Sequence, residues 1–367
     1  MPYPKFNRDK LDIKRLIDRK SKVYIERDHI PVNQIPLNLS DSVILLINQT
    51  VARIKRAREL NRSVILAFGA HTIKNGMAPT LIALMKEGWI THLATNGAGI
   101  IHDWEFAFQG KSSEDVRENV NLGQFGIWDS TGFYINLALI VGAYEGLGYG
   151  ESIGKMVHRE GLDIPETSFL YEFARNNIES KPEQVAAAID FLGVINHFSI
   201  PSGFMKIPHP YKKYSVQGNA YEMKIPFTGH PMFGHDIIYT HPMNHGAAVG
   251  RTAENDFLCY AQSVSNLENG VYLSVGSAVM SPMIFEKSMS MAQNIKIQYG
   301  EHIENHYILV VDLAESNWNW NKDGEPPMDN PAYYFRYCKT FYRMGGEMHY
   351  LTADNRDFLL ALHQKLK

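Results

Sequence analysis

The stretch from Ser63 to Asp103 constrains this chain more than any other. Ser63-Val-Ile-Leu-Ala-Phe-Gly69 is a short apolar run ending at a glycine, the pattern of a strand buried on both faces. Gly76 and Pro79 open a segment that carries Leu81, Ile82, Leu84 and Met85 at helical spacing, and Gly88 stops it. Ile90 to Thr95 reads as a second strand that runs into Asn96-Gly97-Ala98-Gly99. Parallel strands need a long crossover, and a helix of this size supplies one. The unit predicts an α/β fold: a Rossmann-like, mostly parallel sheet flanked by helices.

The remaining chain extends that pattern. Residues 9–20 read as a short basic helix, and residues 21–38 as an extended arm. Ser40 or Asp41 can cap a helix in which Val43, Leu46, Ile47, Val51 and Ile54 recur at helical spacing. Thr131 to Leu147, Ser152 to His158, Asp256 to Asn266 and Arg356 to Leu366 read as further helices. Lys224 to Thr228, Gly270 to Val275, Tyr307 to Leu313 and Glu347 to Leu351 read as strands. The region from Ile164 to about Tyr214 begins helical, becomes loop-like and shows no clear strand. The division that follows is an N-terminal helical arm over 1–62 and a main domain over 63–367, with an insertion around 160–215.

Bulk properties narrow the class. With 367 residues, 45% of them apolar, the chain can bury a sizeable core without disulfides. Cys259 and Cys338 are its two cysteines, which fits a reducing, cytoplasmic compartment. A formal net charge of −3 gives no electrostatic reason to expect nucleic acid. No apolar run is long enough to predict a membrane span or a signal peptide.

Four constellations could carry chemistry. The first joins two turns at strand ends, Ala70-His71-Thr72-Ile73-Lys74 and Asn96-Gly97-Ala98. Ligands of open α/β sheets bind at the carboxyl ends of strands, where glycines admit close approach. The dinucleotide fingerprint is incomplete, because His102 stands where its third glycine would be. The second is His230, His235, Asp236, His241 and His245, dense enough to hold zinc but equally readable as a polar loop. The third is Lys339, flanked by Arg336, Tyr333 and Tyr337; an amine desolvated beside a like charge can become a nucleophile. The fourth is Asn317-Trp-Asn-Trp-Asn321, a polar loop that suits a binding lid or a contact between copies.

Taken together, Phe68 to Asp103, Lys224 to Phe227, Gly234 to His241, Val275 to Val279, Pro331 to Lys339 and Ala353-Asp354 resemble deoxyhypusine synthase in order and spacing. The resemblance implies a Rossmann-like homotetramer that uses NAD and transfers an aminobutyl group from a polyamine through a lysine imine. It implies that Lys339 forms the imine and that Asp236 belongs to the amine pocket. His102, Tyr333 and Tyr337 occupy other substrate-binding positions. Ala70 to Lys74, Asn96, Gly97, Ala98 and Asp354 match positions that contact NAD.

The chain also departs from that family. The catalytic histidine is replaced by Met283, acidic positions by Ile101, His102, Pro231 and Tyr333, and a tryptophan by Tyr337. Each carboxylate lost removes charge-assisted bonds to a polycation. The expectation is therefore a divergent alkylamine transferase, with His71, His102 or His235 as its proton carrier and no metal. Two rival readings are a metal-dependent hydrolase built on His230 to His245, and a binding protein without chemistry.

Overall fold

The computed structural model describes residues 3–37 and 39–367; Met1, Pro2 and Asn38, all within the expected N-terminal arm, lie outside them. Its centre is a six-stranded sheet. The strands are β1 (Val64–Phe68), β2 (His92–Asn96), β3 (Phe227–His230), β4 (Val271–Val275), β5 (Tyr307–Asp312) and β6 (Glu347–Thr352). All neighbouring pairs are parallel, and the order across the sheet is β3-β2-β1-β4-β5-β6. The first three strands run one way from β1 and the last three run the other. This is the doubly wound Rossmann order, with its switch point between β1 and β4.

The principal helices are α1 (Asp41–Glu59), α2 (Ala78–Lys86), α3 (Gly97–Gln109), α4 (Asp129–Glu145), α5 (Tyr149–Arg159), α6 (Gly246–Ser265), α7 (Met280–Gln298), α8 (Arg336–Arg343) and α9 (Asn355–Leu366). Two apolar layers cover the sheet. Val64, Leu66 and Phe68 face the layer that contains α1, α2 and α9, while Ile65 and Ala67 face the layer of α6, α7 and α8. Strand residues alternate between faces, so a strand buried on both sides must be apolar throughout. The run Val64 to Phe68 meets that demand, and all five of its residues are buried.

Several local expectations change. Residues 9–20 form only two short 3-10 turns, Arg8–Lys10 and Leu16–Asp18. Tertiary bonds set their path: Arg8 donates to the Tyr239 carbonyl, and the Leu16 N–H donates to Asp129. Gly203–Lys206, inside the region read as strandless, pairs antiparallel with Gly161–Ile164 at its edge. These short segments find their partner 40 residues away in sequence, which local patterning does not register. The strand expected from Lys224 begins instead at Phe227, after Pro226, which has no N–H to give to a ladder. Helix α7, 19 residues long, was not foreseen at all. Its buried positions Phe285, Ser288, Met289 and Ala292 do follow helical spacing.

Candidate functional site

The carboxyl edge of the sheet collects the turns Gly69-Ala70, Asn96-Gly97, Pro231 to Asp236, Gly276 to Val279 and Ala353-Asp354. At the switch point, β1 and β4 end in glycines that touch. A Cβ on Gly69 would lie 2.1 Å from the Gly276 carbonyl oxygen, so only glycine fits there. Gly276 has φ +57°, a left-handed conformation that favours glycine. Ser277 then accepts from the Ser281 N–H at 3.2 Å, and α7 begins at Met280 without a side-chain cap. Ala278 and Val279 are exposed. Pro282 has no N–H and that of Ser281 is taken, so it is the turn Ser277 to Val279 that, with the helix dipole, suits an anion.

The turn Ala70 to Lys74 is a short helix. Thr72 within it is buried and accepts from Asn355 at 3.2 Å. Asp354 caps α9 through the Arg356 N–H and also pairs with the Arg356 side chain. The structure thus brings Ala70 to Lys74, Gly276 and the Asp354-Asn355 pair together, as the sequence could not show. Beyond them, at the ends of β5 and β6, opens a cleft of about 740 Å³ lined by Ser316, Trp318 and Thr352 among others.

On the other side of β1, Asn96 caps α3 by accepting from the Gly99 N–H at 3.0 Å. The space that a Gly97 side chain would fill holds the Asp236 carboxylate: a Cβ there would lie 2.1 Å from Oδ2. Asp236 is 9% exposed, and its Oδ2 has no hydrogen-bond partner among the described residues. The hydroxyls of Tyr149 and Tyr239 are likewise buried without partners. All three groups interact: Asp236 raises the pKa of both phenols, which burial already pushes up. Burial in turn pushes the Asp236 carboxyl up to about 7. A carboxyl poised near neutrality can take up and release protons. Sequence reasoning singled out Asp236 but neither tyrosine. Tyr149 begins α5 and Tyr239 sits in the 3-10 turn Ile237–Thr240, more than a hundred residues from Gly97 in the latter case.

The histidines separate from one another. His230 Nε2 bonds to Thr228 Oγ1 at 2.9 Å, and the same hydroxyl bonds to His92 at 2.9 Å. Burial lowers both histidines to about 3, so they are neutral. His241 accepts from the Met243 N–H, and His245 caps α6. Among the described residues, no three His, Cys, Asp or Glu side chains come together as a metal group. The hydrolase reading fails on this geometry. His102, expected at the substrate, bonds to Ser112 at 2.8 Å, and burial lowers it to about 4.

Lys339 lies on α8 with its Nζ 3.6 Å from the centre of the Tyr333 ring. Tyr337 stacks on Phe335, and its hydroxyl faces that of Tyr350 at 3.4 Å. These are packing contacts around a core that includes Cys338 and Phe341. Trp320 is buried in that core rather than poised as a lid, while Trp318 donates to the Gly324 carbonyl at 2.9 Å.

No family profile and no curated protein matches the chain. Solved structures do. Unliganded AgrE matches with 15% identity over 89% of this chain and 33% of its own, at a TM-score of 0.42. The complex of AgrE with ornithine and NAD+ matches with 14% identity over 89% of this chain and 33% of its own, at a TM-score of 0.44. A conserved LOR/SDH protein from Methanococcus maripaludis S2 matches with 11% identity over 92% of this chain and 73% of its own, at a TM-score of 0.43. The chain therefore spans about a third of the length of AgrE. These structures, together with the arginine dihydrolase ArgZ, are not deoxyhypusine synthases, and they overturn the expectation of an aminobutyl transferase acting on a polyamine. What stands is the Rossmann-like α/β fold. Among the described residues, no helix is long and apolar enough to cross a membrane.

Proposed function

We propose that this chain binds a nicotinamide dinucleotide at the carboxyl edge of its sheet and oxidises a small amine or amino acid beside Asp236. The observation that carries the reading is the strand order β3-β2-β1-β4-β5-β6, whose switch point is the binding crevice of dinucleotide folds.

The residues present fit such a group in a particular way. The N-terminus of α3 is closed by Asp236, which occupies the place an anion would take. The Gly276 N–H is held by the Val311 carbonyl, and the residues after it, up to Val279 before α7, offer N–H groups to a diphosphate. Ala70 to Lys74 and Asp354 flank that turn, and Asn96 to Ala98 form the wall nearest the substrate. A bound nicotinamide would supply the hydride acceptor. Asp236, partly ionised near neutral pH, orients a substrate ammonium and takes the proton released as the amine is oxidised. Tyr149 and Tyr239, whose buried hydroxyls have no partner among the described residues, lie within electrostatic reach of that carboxylate.

Calorimetry with NAD+ and NADH tests the cofactor half. Saturable binding that weakens in Gly276→Val is the expected result, and absence of binding to the folded wild-type chain overturns it. A panel of amino acids and alkylamines, read by NADH absorbance, tests the substrate half. Turnover abolished by Asp236→Asn with NAD+ affinity retained supports the role of Asp236; unchanged turnover refutes it.

A further inference from the structure

A second cavity of about 800 Å³ lies away from that edge. It opens beside the amino half of β3, between α5, α6 and the helix Val216–Met223. Its size falls within the range of small-molecule sites. The wall formed by Ala220, Ile225 and Phe227 is apolar, and the polar groups are unevenly distributed.

Deep in the cavity lies Asp256, 3% exposed. Its Oδ2 accepts from the Gly150 N–H at 2.8 Å and from the Gly229 N–H at 2.6 Å. Its Oδ1 faces Gly148, where an added Cβ would lie 1.8 Å away. The missing side chain at Gly148 is what lets the carboxylate approach this backbone, where the Tyr149 N–H adds a third bond to it. Gln217 lines the same cavity and is 1% exposed, and its Oε1 has no partner while its Nε2 donates to the Ile100 carbonyl at 3.2 Å. An unpartnered acceptor this deeply buried costs free energy unless something donates to it. Glu151 and Glu222 stand exposed at the mouth, against Lys224 and His158. The inner groups accept hydrogen bonds, and the rim sets two carboxylates against one lysine and one histidine.

We propose that this cavity is a binding site for an organic cation with an N–H-rich head, of the guanidinium or alkylammonium class. The head group would donate to Gln217 Oε1 beside the Asp256 carboxyl, and its apolar body would lie on Phe227 and Ala220. The site is separate from the proposed cofactor crevice: Ile225 and Phe227 lie at the start of β3, whereas Asp236 follows its end.

Cys259 offers a direct readout, since it is a free, exposed thiol lining this cavity, and Cys338 is buried. The full-length protein is alkylated with iodoacetamide in the presence of butylguanidine, butylamine or the neutral butyramide, and modification of Cys259 is followed by mass spectrometry. The two cations should slow alkylation severalfold and butyramide should not. The double variant Glu151→Gln/Glu222→Gln should weaken that protection about tenfold, the loss of some 1.4 kcal/mol. Leu258→Trp, which narrows the mouth without touching a buried carboxylate, should abolish it. No protection by either cation, equal protection by butyramide, or full protection in Leu258→Trp would each overturn the proposal. NAD+ binding, measured in parallel, should be unchanged in both variants, so this test succeeds or fails independently of the proposed cofactor site.

Discussion

Two buried carboxylates flank helix α3, and they are treated in opposite ways. Glu105, in the third turn, is 1% exposed and fully partnered. Arg19 grips it through two bonds of 2.7 Å, Ser112 donates at 2.5 Å and Thr131 at 2.8 Å. Burial, the largest single influence, would raise its pKa, but the Arg19 guanidinium together with Ser112 and His102 holds it below the ordinary value. The guanidinium is raised in turn: burial opposes its charge, and Glu105 more than compensates. Asp236, at the first turn, has an oxygen without a partner among the described residues, and burial is what raises its pKa. The first arrangement ties the N-terminal arm to the domain. The second stores an unsatisfied group where a ligand can satisfy it. A partnered buried charge serves the fold; an unpartnered one at a strand end is a reason to look for chemistry.

The sharpest test of that contrast removes Arg19. Arg19→Leu leaves Glu105 buried and unpaired and should destabilise the protein by about 3–5 kcal/mol in urea titrations. The double change Arg19→Leu/Glu105→Leu should recover most of this loss, because the unpaired charge disappears with its partner. If the single variant is as stable as wild type, the distinction collapses.

Asp236→Asn should behave in the reverse sense. The folded-state pKa of Asp236 lies at about 7, above that of an unfolded aspartate. The native state then holds a proton that the unfolded chain has released. Wild-type stability should therefore fall as pH rises from about 4 to about 7, at up to 1.36 kcal/mol per pH unit from this group. Asp103 and Asp256, raised to about 6 and about 8 by burial, add the same sign over neighbouring windows. The difference between wild type and Asp236→Asn isolates the single group. A variant that keeps the full slope would show that Asp236 ionises normally.

Gly97→Ala tests the same site through the backbone. Its Cβ must displace the carboxylate, so it should mimic Asp236→Asn in losing turnover, at a stability cost of about 1–3 kcal/mol for the overpacking. An alanine variant with wild-type kinetics would place the reaction elsewhere. The smallest effect is expected at Lys339. If its role is the contact with the Tyr333 ring, Lys339→Met should cost about 0.5–1 kcal/mol and leave NAD+ binding and turnover intact. Loss of turnover with retained stability would return Lys339 to the site.

The parallel sheet was legible because its physics is local. Val64 to Phe68 must be apolar on both faces, and that writes itself into five consecutive residues. The glycines at 69 and 97 are legible as turns for the same reason. The surroundings of Lys339, His102 and the histidine cluster are not legible in this way, since side-chain environment depends on what folds against each residue. His230 and Asp236 are six positions apart, yet one is locked to Thr228 and the other has a free oxygen beside Gly97. Helix α7 was hidden for a related reason: its buried face includes Ser281 and Ser288 as well as apolar residues.

By itself, then, the sequence determined a βαβ unit over Ser63 to Asp103, a mostly parallel sheet and glycine turns at its carboxyl edge, because strand burial and backbone freedom are properties of neighbouring residues. Only the tertiary structure decided the switch point between β1 and β4, the closure of the Gly97 turn by Asp236 and the opening of the turn at Gly276. Those depend on contacts between residues more than a hundred positions apart, and no local pattern records whether a buried carboxylate will meet an arginine or none.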